Sequence, residues 1–149
     1  MSKEFMKRAI ELSITSVGNG TGPFGAVLVK DNQIISEGFN TVTMNNDPTS
    51  HAEIVAVRIA CKKLSNFSLE GCDLYTTCEP CPMCYGAIHW AKLPKCVFAC
   101  SADDAAKHGF DDRFIYDAIR KETDEVHCEF IHTPCEDAVK VFELDYGKY

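Results

Sequence analysis

Two prolines restrict the backbone of residues 76–84, the run TTCEPCPMC, more tightly than the backbone is restricted in most of this sequence. Pro80 disfavours a helical conformation for the residue before it, so Glu79 is expected to be extended. Pro82 suits the first turn of a helix, where its missing N–H is not needed. The run therefore predicts a strand that ends before Glu79 and a helix over residues 81–91 that carries a Cys-x-x-Cys pair at its start.

The remainder of the chain alternates between helical periodicity and short apolar runs. Two β-rich runs flank Asp31-Asn32, which suits a tight turn, so residues 26–40 are predicted to form a hairpin. Further strands are predicted at residues 73–77, 96–100 and 126–132. Further helices are predicted at residues 3–17, 51–63, 111–120 and 136–144, and residues 41–49 are predicted to be a loop. This order indicates an α/β fold with helices on both faces of a mixed sheet.

Two apolar patterns predict buried helix faces. The first helix is predicted to be amphipathic, with apolar positions at Phe5, Ala9, Ile10, Ile14 and Val17. Trp90 lies on what the pattern indicates is a buried helix face and is predicted to belong to the core.

Length and charge limit the classes of partner. The chain has 149 residues, which fits one domain over residues 1–149. Its formal net charge is −7, from 15 basic and 22 acidic residues. Such a balance disfavours nucleic acid, which is bound through phosphate contacts, and favours a small neutral ligand.

Cysteine usage indicates a reducing compartment. The sequence has nine cysteines, an N-terminus without the apolar core of a signal peptide, and no apolar stretch of membrane-spanning length. We therefore expect a cytoplasmic protein without a membrane partner, in which cysteine clusters serve metal binding or catalysis.

A metal site can be assembled from two separated stretches. Cys81 and Cys84 would lie on one side of a helix N-terminus, which favours thiolates. This spacing is typical of zinc half-sites, although redox dithiols and structural zinc ribbons use it too. Of the five histidines, only His51 precedes a predicted helix beside a carboxylate. Two cysteines and one histidine leave a fourth zinc position for water, which is typical of a catalytic site.

A zinc-bound water would give Glu53 a function as a base. Two thiolates offset the charge of Zn²⁺, so a nearby base is needed to take the proton from the water. A carboxylate two residues from His51 can do this without binding the metal. Attack of water on an amidine-like carbon with loss of ammonia would use all of these groups.

Other interpretations of these residues remain open at this point. Ser50 and Glu53 fit a capping box, in which Glu53 only satisfies a backbone N–H. A lone His51 is more often a hydrogen-bonded residue at a helix start than a metal ligand. Cys78 could complete a closed Cys₃His structural site, although Pro80 is expected to hold Cys78 on the strand side.

The segments HAE (residues 51–53) and PCPMC (80–84) match the zinc nucleobase-deaminase signature, H-x-E followed by P-C-x-x-C. The chain resembles the cytidine deaminase-like superfamily, and more narrowly the small zinc-type guanine deaminases of bacteria. Nearly the whole chain carries the resemblance except residues 121–136, and the segment GFDDRFIY (109–116) with the terminal Tyr149 points to guanine.

The resemblance implies a fold, a site and an assembly. It implies a three-layer α/β/α domain with a five-stranded mixed sheet, and a homodimer whose C-terminal segment is exchanged between subunits. It implies that zinc is held by His51, Cys81 and Cys84 and that Glu53 moves protons. It places the substrate-binding residues Asn40, Phe24, Asp112 and Tyr149 around the base.

These implied roles are chemically reasonable but have simpler alternatives. An ionised Asp112 accepts hydrogen bonds only, which favours the N–H donors of guanine over the ring acceptors of adenine. Asn40 can both donate and accept, and Phe24 offers an apolar ring. Against this, Asp112 could be a first-turn helix acid, Asn40 a common strand-end residue, Phe24 a core residue and Tyr149 a frayed terminus.

The resemblance implies hydrolysis of guanine to xanthine and ammonia, in purine salvage or catabolism, with water attacking C2 of the base. A tRNA adenosine deaminase carries the same signature but needs a basic face for RNA. A deaminase of cytosine, a pterin or a nucleoside would use the same chemistry. A non-catalytic interaction module held by zinc would require Glu53 to be only a cap.

Overall fold

A mixed sheet forms the centre of the protein. The computed structural model describes residues 2–124, 127–145 and 147. Its strands are β1 (Gly25–Lys30), β2 (Gln33–Phe39), β3 (Asp73–Cys78) and β4 (Lys95–Cys100). They are ordered β2-β1-β3-β4, with β1 antiparallel to both of its neighbours and β3 parallel to β4. The predicted mixed sheet is therefore confirmed.

The turn of the β1–β2 hairpin lies at Asp31-Asn32, as predicted. Asp31 and Asn32 have φ angles of 49° and 59°. A two-residue turn with both central residues in the left-handed region matches the twist of the flanking strands, and Asp and Asn tolerate that region well.

Seven α-helices and one 3-10 turn lie among the described residues: α1 (Ser2–Gly18), α2 (Val42–Asn45), α3 (Ala52–Leu64), α4 (Pro82–Trp90), α5 (Ala102–Ala106), α6 (Arg113–Arg120), α7 (Glu136–Lys140) and the 3-10 turn (Val141–Glu143). Helix α2 lies within the region that was predicted to be a loop. Helix α5 was not predicted, because five residues are too few to give a periodic pattern. None of the described helices is both long and apolar enough to cross a membrane.

Helices cover both faces of the sheet, as predicted. On one face α1 packs through Phe5 and Leu12 against Val27 and Tyr75. On the other face α3 and α4 pack against the sheet, with a core that consists of Ala26, Leu28, Ala52, Ala56, Ala60, Leu69, Cys72, Leu74, Ile88 and Ala91. The alanines of α3 keep that helix close to the strands.

A glycine in β2 sets the position of α3. A Cβ atom on Gly38 would meet the backbone of α3 at the carbonyl oxygen of Ala52 and lie 2.7 Å from the nitrogen of Ala56. Real Cβ atoms essentially never approach other atoms so closely. Gly38 therefore lets the first turn of α3 lie directly on the sheet, which places His51 at the end of the strands.

The prediction of five strands is wrong for the described residues, where the sheet has four. Residues 127–132 form no strand, and Phe130 and Ile131 are 90% and 75% exposed. The segment alternates only weakly, and a weak alternation specifies strand pairing poorly. Residues 125 and 126 lie outside the described part of the chain.

Two predictions about burial also fail, the first only in part, because Phe5 and Ala9 of α1 are buried as predicted. The face of α1 that meets the sheet carries Phe5, Ala9, Leu12 and Ser16, while Ile10, Ile14 and Val17 are exposed. Trp90, the last residue of α4, is 74% exposed. Helical spacing alone did not separate the face that packs on the sheet from the faces beside it.

Candidate active site

Two helix N-termini bring the expected metal ligands together. His51 is the N-cap residue of α3, and Cys81 is the N-cap residue of α4. Cys84 lies one turn into α4 and is fully buried. The Nδ1 atom of His51 is 3.5 Å from Sγ of Cys81 and 3.6 Å from Sγ of Cys84. Among the described residues, these three form the only group of three or more His, Cys, Asp or Glu side chains whose ligand atoms all lie within 4.8 Å of one another.

The three donor atoms fit a tetrahedral zinc ion. Zinc bonds of about 2.3 Å to sulfur and about 2.0–2.1 Å to nitrogen, at a tetrahedral angle, place sulfur and nitrogen about 3.6 Å apart. The two distances from His51 to the cysteines match this value. The geometry also settles which ring nitrogen faces the metal position, since Nδ1 is the atom that lies beside both sulfurs.

The ionisation of the donors also fits a cation. The pKa of Cys81 is lowered to about 4, because Cys84 and His51 donate hydrogen bonds to its thiolate and offset its burial. The pKa of Cys84 is strongly raised by the adjacent Cys81 and by burial. Two thiolates cannot lie this close in a buried site without a positive charge between them, and Zn²⁺ supplies that charge.

Glu53 lies beside the metal ligands and is only 6% exposed. Its Oε1 accepts a hydrogen bond of 3.1 Å from the Thr76 hydroxyl, and its Oε2 lies 3.5 Å from Sγ of Cys84. Burial raises the pKa of Glu53, which suits a group that must both take and give a proton.

The capping-box alternative for Glu53 is not formed. The N-cap of α3 is His51, and no side chain caps the helix there. The Ser50 hydroxyl donates instead to Asp47 at 2.7 Å. The carboxylate of Glu53 therefore faces the metal ligands rather than the helix end.

The closed Cys₃His alternative is not formed either. Cys78 is the last residue of β3, and its thiol lies 3.9 Å from the carbonyl oxygen of Ser101. It does not belong to the donor group of His51, Cys81 and Cys84. The fourth position of a bound metal is left to a ligand from outside the described chain.

A cavity of about 370 Å³ opens beside the metal ligands. This volume falls within the range of small-molecule sites, roughly 300–1,000 Å³. The described residues that line it include His51, Glu53 and Cys81 together with the predicted Phe24, Asn40 and Asp112, and none of them is a lysine or an arginine. The structure thus brings together every predicted site residue except Tyr149, which lies outside the described residues; Cys84 belongs to the donor group but does not line the cavity.

The side chain of Asp112 does not cap the helix that it precedes. It is the N-cap of α6, but its side chain makes no capping hydrogen bond. The neighbouring Asp111 accepts from the backbone N–H of Arg113 at 3.0 Å and pairs with its guanidinium group. Burial and the negative charge of Cys81 raise the pKa of Asp112. Both acids line the cavity, but the carboxylate of Asp111 is engaged with Arg113, whereas that of Asp112 makes no capping bond.

Several cavity residues were not predicted from the sequence. The ring of Phe110 meets the ring of Phe24 edge to face, with centroids 5.0 Å apart, and together they form an apolar wall. Glu79 accepts from the first N–H of α5 at 2.8 Å and so anchors that helix beside the cavity. Thr21 donates to Asn40 at 2.6 Å. Phe110 and Glu79 lie inside segments that the sequence singled out, whereas no local pattern marks Thr21.

Similar proteins of known sequence or structure include guanine and tRNA deaminases. The guanine deaminase of Bacillus subtilis (strain 168) is 58% identical over 123 residues, which cover 81% of this chain and 78% of that protein. A crystal structure of guanine deaminase from Bacillus subtilis superposes with a TM-score of 0.92 at 46% identity, and covers 99% of this chain and 97% of that one. A tRNA-specific adenosine deaminase of Aquifex aeolicus is 44% identical over 110 residues, 73% of this chain and 71% of that protein.

The family assignment follows from the same residues that form the donor group. A model of the cytidine and deoxycytidylate deaminase zinc-binding region matches residues 1–100, which include both half-sites and the sheet that carries them. This chain belongs to the cytidine and deoxycytidylate deaminase zinc-binding family.

Proposed function

We propose that this protein hydrolyses guanine to xanthine and ammonia. The observation that carries the proposal is a single cavity in which a zinc-binding donor group, a buried carboxylate and the half-buried Asp112 meet. The similarity to the guanine deaminase of Bacillus subtilis supports the same choice of base.

The residues at the metal divide the chemistry between them. His51, Cys81 and Cys84 would hold the zinc ion, which when bound lowers the pKa of a water molecule and supplies a nucleophile at neutral pH. Glu53 would take one proton from the water that attacks C2 of guanine and pass it to the ring nitrogen beside C2. It would then take the second proton, from the hydroxyl group now on C2, and give it to the amino group, which leaves as ammonia while C2 becomes a carbonyl. Thr76 holds the carboxylate in place through its hydroxyl.

The remaining cavity residues select the base. The carboxylate of Asp112 accepts hydrogen bonds, which suits the N–H and amino donors of guanine. Adenine would leave this carboxylate facing ring acceptors, and an unsatisfied buried charge costs binding free energy. Phe24 packs against the flat face or the edge of the heterocycle, and Asn40 orients it by hydrogen bonding.

We also propose that the protein is a homodimer whose C-terminal segment is exchanged between subunits, so that Tyr149 closes the cavity of the partner. Every described residue from His127 to Asp145 is exposed, including large apolar side chains such as Phe142, which is 78% exposed. Trp90 and Tyr85 expose a second apolar surface on α4. Exposed apolar surfaces of this kind are typical of protein–protein interfaces.

The cellular setting is part of the same proposal. The whole chain, residues 1–149, would act as one deaminase domain in the cytoplasm, within purine salvage or catabolism. All nine cysteines are free of disulfide bonds, as expected in a reducing compartment.

The second candidate function is deamination of adenosine in tRNA, which the similarity to the Aquifex aeolicus protein supports. The lining of the cavity weighs against it. Glu79, Asp111 and Asp112 line it, and no lysine or arginine among the described residues does so to meet a phosphate. A non-catalytic module held by zinc would not need an open cavity with a buried carboxylate beside the metal position.

Product analysis tests the proposal. The zinc-loaded protein is incubated separately with guanine, adenine, cytosine, guanosine and a tRNA anticodon stem-loop, and ammonia release is measured with each. We expect ammonia and xanthine from guanine at a rate at least 100-fold above that for any other substrate. Inert guanine would overturn the proposal, and inosine formation in the stem-loop would favour the tRNA alternative.

A further inference from the structure

The backbone of Asn40 is held firmly at the edge of the cavity. Its N–H donates to the carbonyl oxygen of Phe24 at 3.1 Å. Its own carbonyl oxygen accepts from the hydroxyl of Ser16 at 3.1 Å. Asn40 is only 6% exposed. The position of its side-chain amide is therefore fixed by the fold before any base binds.

Two donors also fix which way the amide of Asn40 faces. Its Oδ1 atom lies 3.1 Å from the backbone nitrogen of Val42 and 2.6 Å from the hydroxyl of Thr21. A backbone N–H can only donate, so the atom that faces Val42 must be the carbonyl oxygen of the amide. The hydroxyl of Thr21 then donates to the same oxygen. The N–H of Val42 sets the orientation of the amide, and the hydroxyl of Thr21 adds a second hydrogen bond that holds the same oxygen in place.

The amino group of Asn40 is left on the cavity side. A Cβ atom on Gly22 would lie 3.4 Å from its Nδ2 and 3.2 Å from the ring of Phe24, so the absence of a side chain at Gly22 leaves room there. Gly22, Phe24 and Asn40 all line the cavity. Within the described residues, Nδ2 donates to no other group, which leaves its hydrogen atoms available to a ligand.

We propose that Thr21 is a positioning residue that holds the amide of Asn40 in the orientation set by the backbone N–H of Val42, so that the cavity selects a base with a hydrogen-bond acceptor at this point. This inference rests on the proposed deamination of guanine. The 6-oxo group of guanine is such an acceptor, whereas the 6-amino group of adenine or of 2,6-diaminopurine is a donor. Asn40 and Asp112 then recognise opposite features of the base, one an acceptor and the other the N–H donors.

Thr21 contacts the side chain of Asn40, whereas Ser16 holds only the backbone of this loop. The hydroxyl of Ser16 donates to the carbonyl oxygen of Gly22 at 2.5 Å as well as to that of Asn40, and it keeps the two backbone segments together. Replacing Thr21 by valine leaves those bonds in place and preserves the side-chain shape. The change therefore acts on the amide of Asn40 alone.

A double-mutant cycle tests the inference with Thr21→Val, Asn40→Ala and the two together. In Thr21→Val, loss of one hydrogen bond is expected to raise KM for guanine about tenfold with kcat nearly unchanged, because the contact to the base is uniform along the reaction. The inhibition constant of 2,6-diaminopurine should change less than twofold. Thr21→Ser, which keeps the hydroxyl, should restore KM. In the Asn40→Ala background the Thr21 change should have no further effect.

Two further variants complete the test. Ser36→Ala removes another buried hydroxyl, which donates to Ala56 at 2.8 Å away from the cavity, and should lower stability without changing KM. Asn40→Asp keeps an oxygen toward Thr21 but turns an acceptor into the cavity, so KM for guanine should rise at least 100-fold.

The outcomes are distinguishable. Additive effects of Thr21→Val and Asn40→Ala, equal changes for guanine and 2,6-diaminopurine, or a wild-type KM in Asn40→Asp would each overturn the inference. A wild-type protein that releases no ammonia from guanine would instead overturn the proposed function. If Thr21→Val does not fold, the Asn40→Asp result alone decides whether the amide acts as a donor.

Discussion

The Nδ1 atom of His51 lies 3.5 Å from Sγ of Cys81, although 30 residues separate them in the sequence. The two residues are the N-caps of α3 and α4, whose first turns meet at the end of the sheet. The same meeting point brings Glu53 within 3.5 Å of Cys84. The possible zinc ligands and the carboxylate proposed to carry protons thus lie on the same two helix starts, and the first prediction separates the two proposed functions.

Glu53→Gln should leave zinc binding and folding intact while lowering kcat for guanine by about 10²–10⁴-fold, because the amide cannot carry the proton. Zinc content by atomic absorption and ammonia release measure the two effects. In the matched variant Thr76→Val the carboxylate remains but loses its hydrogen bond, so the loss should be smaller. Normal turnover in Glu53→Gln would exclude Glu53 as the proton carrier.

Asp112→Asn should lower kcat/KM for guanine by about 10- to 100-fold, since hydrogen bonds to a charged group contribute about 1.5–3 kcal/mol. The neighbouring Asp111→Asn is the control, because Asp111 also lines the cavity but its carboxylate is engaged with Arg113. Steady-state kinetics of the two variants are compared. Equal losses in both would show that the charge of the cavity matters rather than recognition by Asp112.

Gly38→Ala should destabilise the protein by about 1–3 kcal/mol, because a Cβ there forces α3 away from the sheet. Gly86→Ala in α4 is the control, since a Cβ at that position meets no atom within 4 Å. Alanine is favoured over glycine inside a helix, so this change should raise stability by up to about 1 kcal/mol. Urea unfolding monitors both, and a neutral Gly38→Ala would contradict the close approach.

The ion pair between Arg8 on α1 and Glu37 on β2 gives a prediction about pH. Two hydrogen bonds of 2.8 Å from Arg8 lower the pKa of Glu37 below its usual value of 4.5. The resulting stabilisation is present above the pKa of the unfolded state and is lost as pH falls through the lower pKa of the folded state.

Glu37→Gln should therefore cost about 0.5–1 kcal/mol at pH 7, since both side chains are partly solvated. The difference from the wild type should vanish in acid below the folded pKa of Glu37. Glu70→Gln is the control, because Glu70 lies 3.8 Å from Lys92 in an exposed pair and its replacement should have no measurable effect. A difference between wild type and Glu37→Gln that persists unchanged into acid would refute the assignment.

Much of the site could be predicted because its chemistry lies in short sequence patterns. Cys81, Pro82 and Cys84 specify a helix start with two sulfurs on one side, and His51 with Glu53 does the same for the histidine and the carboxylate. The structure brings these together as expected. The turn at Asp31-Asn32 was equally local, because backbone conformation there depends on those two residues.

The features that were not predicted depend on contacts distant in the sequence. The hydrogen bond from Thr21 to Asn40 joins residues 19 apart that share no pattern. Trp90 was predicted to lie on a buried helix face, yet as the last residue of α4 it is 74% exposed. The expected fifth strand failed for the same kind of reason, since a strand needs a neighbouring edge that local alternation cannot supply.

X-ray absorption at the zinc edge, on protein purified with one equivalent of zinc, tests the metal centre most directly. The account predicts two sulfur ligands near 2.3 Å, one nitrogen and one light atom that is exchangeable with solvent. The light-atom signal should change when guanine or a competitive inhibitor is added. Three sulfur ligands, or a fourth donor from the protein that no added ligand displaces, would contradict a catalytic zinc site formed by His51, Cys81 and Cys84.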